Sequence, residues 1–249
     1  MKQRLDAALA GRGLVVSRSQ AESWIKLGKV TVDGRVVTKA GHMVRDDTDV
    51  QVTSTERYVS RAGLKLASVA QLLSIDFRDK TVLDVGSSTG GFTDYALQHG
   101  AKKVYAVDVG TEQLHPSLQG DSRIALHEKT DIRDFVPDTQ PDIILIDVSF
   151  IGLRDILPHL AQKVAGAHTY IVAMVKPQFE AGRSQTNKGV IKNETVRRQI
   201  LKDFEMWAKD LFVIRDKRDS DISGAKGNRE RFYLLTLNRN STTSPGRIT

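Results

Sequence analysis

The sequence predicts an α/β protein in which an open parallel sheet with helices on both faces follows a small α+β module. Short apolar runs alternate with helical patterns from residue 81 to residue 211, which is typical of parallel strands joined by helices. Several of these runs end in glycine or in a charged residue, as strands that border a ligand do. Residues 1–53 have a different pattern of short helices and short strands, so two domains are predicted.

Composition limits the class of partner and of chemistry. The 249 residues include 37 lysines and arginines against 30 aspartates and glutamates, and the net charge of +7 favours an anionic partner. The absence of cysteine excludes disulfides, thiolate metal sites and a cysteine nucleophile. The six histidines show no metal-ligand spacing, so no metal site is predicted. No stretch approaches the ~20 apolar residues of a membrane helix and no signal core is evident, so we expect a soluble cytoplasmic protein.

The first module is predicted from helix caps, helical faces and a turn. Ser17 is a candidate cap for a second helix, in which Ala21 and Ile25 fall on one face. Asp33-Gly34 is a hairpin signal between two β-prone runs. The predicted elements are helices at 4–9 and 18–26 and strands at 29–32, 36–37 and 50–52.

A set of residues spread over this module carries a known pattern. Its members are Arg4, Leu5, Leu14, Ser17, Arg18, Ala21, Ile25, Gly28, Val30, Val32, Asp33, Gly34 and Lys39. The set resembles the alpha-L RNA-binding domain first described in ribosomal protein S-four. That resemblance implies contacts with structured RNA, mainly with phosphates and shape, whereas the alternative is a solvated basic face. The RNA contacts predicted are Arg4, Arg18, Lys26, Lys29 and Arg35.

The second domain is predicted over residues 63–238, after a polar linker at 54–62 and before a disordered tail at 239–249. A helix at 58–73 has a core stripe and carries Lys65 off that stripe. The stripe consists of Leu66, Val69, Leu72 and Leu73. The other predicted elements are strands at 81–85, 103–107, 123–127, 143–146, 170–175, 212–214 and 232–237, and helices at 92–99, 153–164 and 194–211, the last one capped by Asn193.

A glycine-rich turn follows the first strand of this domain. Its spacing is Gly-x-x-x-Gly-Gly, which is neither the dinucleotide pattern nor a phosphate-binding P-loop. Alone, the turn is either a cofactor loop or a tight structural turn. Asp108 ends the next strand, about 20 residues later, where an acidic residue accepts hydrogen bonds from a ribose in such folds, and Asp131 lies at the same predicted edge. The turn consists of Gly86, Ser87, Ser88, Thr89, Gly90, Gly91 and Phe92.

Two charged residues directly follow apolar strands of the domain. Asp147 follows the run at 143–146, and Lys176 follows the run at 170–175. Because ligands bind at the carboxyl ends of parallel strands, we interpret the two residues as part of a site rather than as a salt bridge that closes the sheet.

Together these motifs resemble the FtsJ-type, S-adenosylmethionine-dependent ribose methyltransferases, with a Rossmann-like class I methyltransferase sheet. The whole chain resembles the TlyA family of ribosomal RNA 2′-O-methyltransferases. The resemblance implies a catalytic tetrad, a cofactor site formed by the glycine turn with Asp108 and Asp131, and a cytidine target. The tetrad consists of Lys65, Asp147, Lys176 and Glu230.

The chemistry of the tetrad leaves one alternative open. Lys176 contacts the ribose hydroxyl either as a base, if neutral, or as a stabiliser of the developing alkoxide, if charged. Orientation alone supplies on the order of 7–11 kcal/mol when methyl and oxygen are held in a near-attack geometry.

The predicted function is 2′-O-methylation of ribosomal RNA, free or in ribosomal subunits, by a monomer that needs neither metal nor membrane. Methylation of a base nitrogen is disfavoured, because Asp147-Val-Ser-Phe150 lacks the Asn/Asp-Pro-Pro-aromatic loop. One rival is a non-catalytic RNA-binding assembly factor that kept the fold. Another is a haemolysin or pore former, which the lack of a membrane-length apolar segment disfavours.

Overall fold

The computed structural model describes residues 2–15, 18–26, 28–52, 58–181, 190–191, 193–224 and 227–238. It divides into two compact units, Met1–Arg61 and Ala62–Thr249. The predicted cap Ser17, residues 54–57 of the predicted linker and the whole predicted tail lie outside the described residues. Among the helices that are described, none is both long enough and apolar enough to cross a membrane.

The amino-terminal unit packs two short helices against two small antiparallel sheets. A two-stranded sheet pairs β1 with β4, and a three-stranded sheet has the order β3-β2-β5. Its core is apolar and includes Leu5, Leu9 and Ile25, all fully buried. The strands are β1 (Lys2–Arg4), β2 (Val30–Val32), β3 (Arg35–Val36), β4 (Met43–Arg45) and β5 (Val50–Val52), and the helices are α1 (Leu5–Gly11) and α2 (Arg18–Lys26).

The predicted hairpin turn is confirmed. Asp33 and Gly34 both have positive φ, 49° and 74°, as the two central residues of a hairpin turn between β2 and β3 require. The pairing of β1 with β4 was not predicted, because Lys2–Arg4 has no apolar alternation from which a strand could be recognised.

The carboxyl-terminal unit is a seven-stranded sheet with helices. Its strands are β6 (Thr81–Val85), β7 (Lys103–Val107), β8 (Ile124–His127), β9 (Ile143–Ile146), β10 (Tyr170–Val175), β11 (Phe212–Asp219) and β12 (Arg231–Leu237). Its helices are α3 (Arg61–Ala70), which begins at the boundary, α4 (Gly91–Gln98), α5 (Leu153–His159), α6 (Pro177–Glu180) and α7 (Glu194–Ala208). Asn193 caps α7 by accepting hydrogen bonds from the N–H groups of Thr195 and Val196, as predicted.

The strand order is β11-β12-β10-β9-β6-β7-β8. Neighbours from β8 to β10 run parallel, and β12 is antiparallel to both β10 and β11. The chain builds outward from β6 to β8 on one side and from β9 on the other, so the order reverses between β6 and β9. Such a switch point leaves a crevice at the carboxyl ends of the strands, where ligands bind in open α/β sheets.

Two predicted details of the helices are wrong. The helix expected at 153–164 is α5 followed by a π-helical turn at Leu160–Val164, because Pro158 has no N–H to continue the α-helical ladder. Leu72 is 58% exposed rather than part of the core stripe; it lies beyond the end of α3 at Ala70, next to the buried Leu73. Leu66, Val69 and Leu73 are buried as predicted.

Candidate active site

A cleft of about 360 Å³ opens at the switch point between β6 and β9. Its walls include residues that follow β6, β7, β8 and β9, so it lies where the fold predicts a ligand. Four of the predicted site residues outside the tetrad line it, and the tetrad residue Asp147 forms another part of its wall. Those four residues are Gly86, Ser88, Asp108 and Asp131.

The glycine turn bends tightly between β6 and α4. Gly86 and Gly90 have φ of +78° and +86°, which favours glycine at both positions. A Cβ on Gly86 would lie 2.8 Å from the carbonyl oxygen of Asp147, and a Cβ on Gly90 would lie 2.6 Å from Leu118. The nearest neighbours of the two glycines are therefore protein atoms, so these positions let the turn pack against the loop after β9 and against the side chain of Leu118.

The other residues of the predicted turn are less accessible from the cleft. Ser87 is 5% exposed, and among the described residues its Oγ has no hydrogen-bond partner. Phe92 is buried and its ring packs against Phe232 at a centroid distance of 6.1 Å. Gly91 is the first residue of α4, and Thr89 accepts a hydrogen bond from the N–H of His115 through its carbonyl oxygen.

Two predicted acidic residues shape the rim of the cleft. The carboxylate of Asp108 accepts hydrogen bonds from the N–H groups of Ser88, at 2.8 Å, and Gly110, at 2.7 Å, so it ties the glycine turn to the loop after β7. Asp131 accepts two hydrogen bonds from the guanidinium of Arg133, which hold the pKa of Asp131 at about 2.

A third carboxylate lies beneath the turn, and the sequence analysis did not single it out. Asp84 in β6 is 1% exposed, and its Oδ2 accepts hydrogen bonds from the backbone N–H and the hydroxyl of Thr93 in α4. Its Oδ1 has no hydrogen-bond partner among the described residues. Burial raises the pKa of Asp84 to about 7, and the negative charge of Asp147 adds to that effect.

The four residues of the predicted tetrad come together as two ion pairs. The Nζ of Lys176 lies 2.6 Å from Oδ1 of Asp147 and donates a hydrogen bond to the Oγ of Ser149 at 2.9 Å. The Nζ of Lys65 lies 2.5 Å from Oε2 of Glu230. In both pairs no side chain is more than 16% exposed, so solvent screens the charges only weakly.

The register of the sheet explains how distant residues meet. Asp147 and Lys176 follow the neighbouring parallel strands β9 and β10. Val175 pairs with Arg231 across β10 and β12, and continuing that register by one residue places Glu230 opposite Lys176. Lys65 reaches Glu230 from α3.

A family model described as an FtsJ-like methyltransferase matches residues 58–238, which is most of the chain. The chain belongs to this family. A second model, described as an S4 domain, matches residues 3–50 and so covers the amino-terminal unit.

Relatives of this FtsJ-like methyltransferase match along almost the whole chain. It is 37% identical to the "16S/23S rRNA (cytidine-2'-O)-methyltransferase TlyA" of Mycobacterium tuberculosis, over 94% of this chain and 90% of that protein. It is 39% identical to "Hemolysin A" of Brachyspira hyodysenteriae, over 91% of this chain and 97% of that protein. A solved structure, "Putative hemolysin from Streptococcus thermophilus", is 37% identical with a TM-score of 0.75, and covers 97% of this chain and 92% of that one.

The FtsJ-like unit also contains a buried carboxylate that the sequence analysis missed. Glu180, at the end of α6, accepts a hydrogen bond from the N–H of Leu153 at 2.6 Å, and its Oε2 lies 3.6 Å from Nε of Arg154. It therefore joins the segment after Lys176 to the start of α5. Burial raises the pKa of Glu180. Its position next to Lys176-Pro-Gln-Phe was visible in the sequence, but its acceptor role depends on a contact 27 residues away.

Phe150 is the second residue of the site that was missed. It lines the cleft three residues after Asp147, is 94% exposed, and has a φ of +71°. A bulky side chain in the left-handed region is strained, at a cost of roughly 1–2 kcal/mol. Its ring lies 5.7 Å from the ring of Phe179, centroid to centroid. The backbone therefore holds an aromatic face out into solvent beside Phe179, whose ring centroid lies 5.9 Å from Nζ of Lys176.

The predicted RNA contacts in the S4 domain differ in their surroundings. Arg4 and Arg18 both pair with Asp6, whose side chain is fully buried. Lys29 and Arg35 are exposed, on the approach to β2 and on β3. The side chain of Lys26 lies outside the described residues.

A larger groove of about 1,110 Å³ lies at the opposite edge of the sheet. Its wall includes Ile143 and Tyr170, which are the first residues of β9 and β10, and Lys80, which precedes β6. It is therefore at the amino ends of the parallel strands, away from the tetrad. The smaller cleft is the candidate active site because the tetrad residue Asp147 and the glycine turn line it.

Proposed function

We propose that this chain transfers a methyl group from S-adenosylmethionine to a ribose 2′-hydroxyl of ribosomal RNA, at a cytidine. The observation that carries the proposal is the position of Lys176, whose Nζ contacts both Asp147 and Ser149 at the edge of a cleft of the FtsJ-like fold. The name of the mycobacterial relative supports the RNA and the cytidine. With this substrate the protein acts where ribosomes are, in the cytoplasm.

The lining of the cleft fits the cofactor. S-adenosylmethionine brings an electrophilic methyl group on a cationic sulfur, together with an ammonium group. Asp108, Asp131 and Asp147 give the cleft an acidic wall, and the buried Oδ1 of Asp84 lies beneath the glycine turn without a hydrogen-bond partner among the described residues. Asp108 and Asp131 would hold the adenosine part, and the turn from Gly86 would hold the rest.

The tetrad orients the ribose and handles its proton. The ammonium of Lys176 donates a hydrogen bond to the 2′-oxygen and stabilises the negative charge that develops as the oxygen takes the methyl group. With Lys176 already charged, the hydroxyl proton passes to the carboxylate of Asp147, which ends the step protonated. The electron pair of the broken sulfur–methyl bond would stay on sulfur, so that S-adenosylhomocysteine is the leaving group. Lys65 and Glu230 hold each other in position on α3 and before β12, because a buried ion pair with short contacts has one favoured geometry.

The exposed ring of Phe150 is an argument that the group which binds in the cleft is a nucleotide. RNA bases that are read by proteins are commonly splayed out and stacked on aromatic side chains. An exposed ring beside Phe179 provides such a face, and the strained backbone of Phe150 keeps it outward. The S4 domain supplies the second contact, with folded RNA.

The test is transfer of tritium from labelled S-adenosylmethionine to ribosomal RNA by the purified full-length protein. The substrates are free ribosomal RNA, isolated subunits and assembled ribosomes, each from cells that lack 2′-O-methylation at the candidate sites. We expect label in the RNA of at least one substrate. RNA binding without incorporation into any of them would favour the assembly-factor alternative.

A further inference from the structure

One buried carboxylate in the S4 domain accepts hydrogen bonds from two arginines. Asp6, in the first turn of α1, is fully buried. Arg4 donates to both of its oxygens, from Nε to Oδ1 at 3.0 Å and from Nη2 to Oδ2 at 2.8 Å. Arg18, the first residue of α2, donates from Nε at 3.3 Å and from Nη2 at 3.2 Å, both to Oδ2. Asp6 therefore gathers guanidinium groups from two separate segments.

The two guanidinium groups remain open to solvent although their acceptor is not. The side chains of Arg4 and Arg18 are 47% and 58% exposed, whereas that of Asp6 is fully buried. Because both Nη2 atoms contact the same oxygen, they lie within about 6 Å of each other. Gly41 leaves space for the guanidinium of Arg4, because a Cβ at that position would lie only 3.2 Å from Nη1 of Arg4. The result is two neighbouring forks with their outer edges in water.

Stability alone is a weak reason for this arrangement. Exposed ion pairs contribute about 0–1 kcal/mol, and burying a carboxylate is unfavourable unless hydrogen bonds compensate for the lost hydration. The hydrogen bonds from Arg4 hold the pKa of Asp6 at about 2, with further contributions from the N–H of Ala7 and from Arg18, so the carboxylate is charged at neutral pH. A charged, buried acceptor fixes the direction of both guanidinium groups.

We propose that Asp6 is a positioning residue that holds Arg4 and Arg18 side by side as a receptor for the phosphodiester backbone of RNA. Guanidinium groups bind phosphate through paired N–H groups, so a fixed orientation reduces the freedom lost when RNA binds. The proposal rests on the proposed function, because it assumes that this S4 domain docks on RNA.

Neutralising Asp6 separates positioning from simple charge attraction. Asp6→Asn raises the net charge from +7 to +8, so general electrostatics predicts tighter RNA binding. Positioning predicts the opposite, because the guanidinium groups lose their shared acceptor. Asp47→Asn is the matched control, since Asp47 is an exposed acid of the same unit and its change in charge is identical.

The experiment measures the affinity of the full-length protein for an unmodified ribosomal RNA transcript over a series of salt concentrations. We expect Asp6→Asn to bind about five- to tenfold more weakly than Asp47→Asn, with a shallower salt dependence, because each lost phosphate contact lowers the slope by ~0.7–0.9. Circular dichroism shows whether the S4 domain is still folded. If Asp6→Asn unfolds the S4 domain, Arg18→Lys becomes the deciding variant, because lysine keeps the positive charge but lacks the guanidinium fork. We expect Arg18→Lys to bind RNA several-fold more weakly than wild type.

Three outcomes overturn the positioning role, and a fourth bears on the proposed docking role of the unit. Binding by folded Asp6→Asn as tight as that of Asp47→Asn contradicts positioning, and so does wild-type binding by Arg18→Lys. Wild-type affinity for RNA in the double variant Arg4→Ala, Arg18→Ala would instead show that the two arginines do not contact RNA. That result would also contradict docking of this unit on RNA through these residues. Weaker binding by the double variant but not by Asp6→Asn would overturn the positioning role alone.

Discussion

Both units of the chain bury an aspartate, but its surroundings differ. In the amino-terminal unit Asp6 accepts hydrogen bonds from two arginines, and its pKa is about 2. In the carboxyl-terminal unit Asp84 accepts its hydrogen bonds from the neutral Thr93, and burial raises its pKa to about 7. Asp6 lies beneath two arginines that are themselves about half exposed, whereas Asp84 lies inside the fold between β6 and α4. Both the charged partners of Asp6 and the deeper burial of Asp84 therefore separate the two pKa values.

The tetrad carboxylates follow a third arrangement, in which each pairs with one lysine. Asp147 contacts Lys176 and Glu230 contacts Lys65, at 2.6 and 2.5 Å. A lysine ammonium is a compact charge that can give up a proton, whereas a guanidinium stays charged and presents a planar fork. The comparison suggests that arginines serve docking in one unit and lysines serve chemistry in the other.

The largest effect is expected from Lys176→Ala. Methyl transfer should fall by about 10³-fold or more, because the variant loses the group that we propose to contact the 2′-oxygen. Cofactor affinity, measured by calorimetry, should stay within a few-fold of wild type. Lys80→Ala is the control, since Lys80 is a half-exposed lysine that pairs with Asp142 at the opposite edge of the sheet. Equal losses of transfer and cofactor binding would make Lys176 a structural residue.

Lys176→Arg sharpens the contrast between lysine and arginine. It keeps a positive charge but replaces the compact ammonium with a larger fork, so we expect turnover to fall by about 10²-fold. Arg18→Lys, the reverse exchange in the S4 domain, should lower RNA affinity only several-fold. Near-normal turnover by Lys176→Arg would mean that charge alone, rather than the identity of the cation, is what the site needs.

Phe150→Ala is expected to have a smaller effect, on substrate capture. Loss of a stacked base costs roughly 1–3 kcal/mol, so kcat/KM for RNA should fall by about 5- to 150-fold while cofactor affinity is unchanged. Tyr170→Ala is the matched control, because Tyr170 is a half-exposed aromatic residue at the opposite edge of the sheet. If both variants lose activity equally, Phe150 has no specific role in holding the nucleotide.

The smallest effect on turnover is expected from Asp84→Asn, whose main consequence appears in the pH dependence of stability. The pKa of Asp84 is about 7 when folded, against about 3.9 for an unperturbed aspartate, so the folded state binds the proton more tightly. The wild-type free energy of unfolding should therefore fall by up to ~1.4 kcal/mol per pH unit as pH rises from 5 to 7. Asp84→Asn should lack this contribution.

Urea unfolding at pH 5, 6, 7 and 8 measures the difference between Asp84→Asn and wild type. We expect the advantage of the variant to grow with pH and to level off above the pKa of Asp84. Asp210→Asn changes an exposed acid of the same unit, and its free energy of unfolding should show the same pH dependence as that of wild type. A constant difference between Asp84→Asn and wild type would contradict a raised pKa.

The sequence predicted the parts of the structure that depend on local pattern. The apolar runs of β6, β7, β9 and β10 are continuous because these strands are buried on both faces, and each was found within a residue of its observed bounds. The charged residues at strand ends followed from the same reasoning. Membership of the tetrad came from resemblance, because nothing local to Lys65 or Glu230 indicates that they meet.

What the sequence did not predict depends on contacts between distant segments. Glu180 is an acceptor only because α5 begins beside it, and the shared role of Arg4 and Arg18 depends on Asp6 lying beneath both. The exposure of Phe150 depends on a φ of +71°, which the sequence Asp-Val-Ser-Phe does not indicate. The packing role of Gly86 also depends on a distant segment, since a Cβ there would lie 2.8 Å from the carbonyl oxygen of Asp147.

The most direct test of the central claim is mass mapping of the RNA after reaction with the pure protein. Ribosomal RNA is digested to nucleosides and fragments, and the position of the added methyl group is assigned to ribose or base. The account predicts a 2′-O-methylated cytidine that appears with wild type and not with Lys176→Ala. A methyl group on a base nitrogen, or equal 2′-O-methylation by Lys176→Ala, would contradict it.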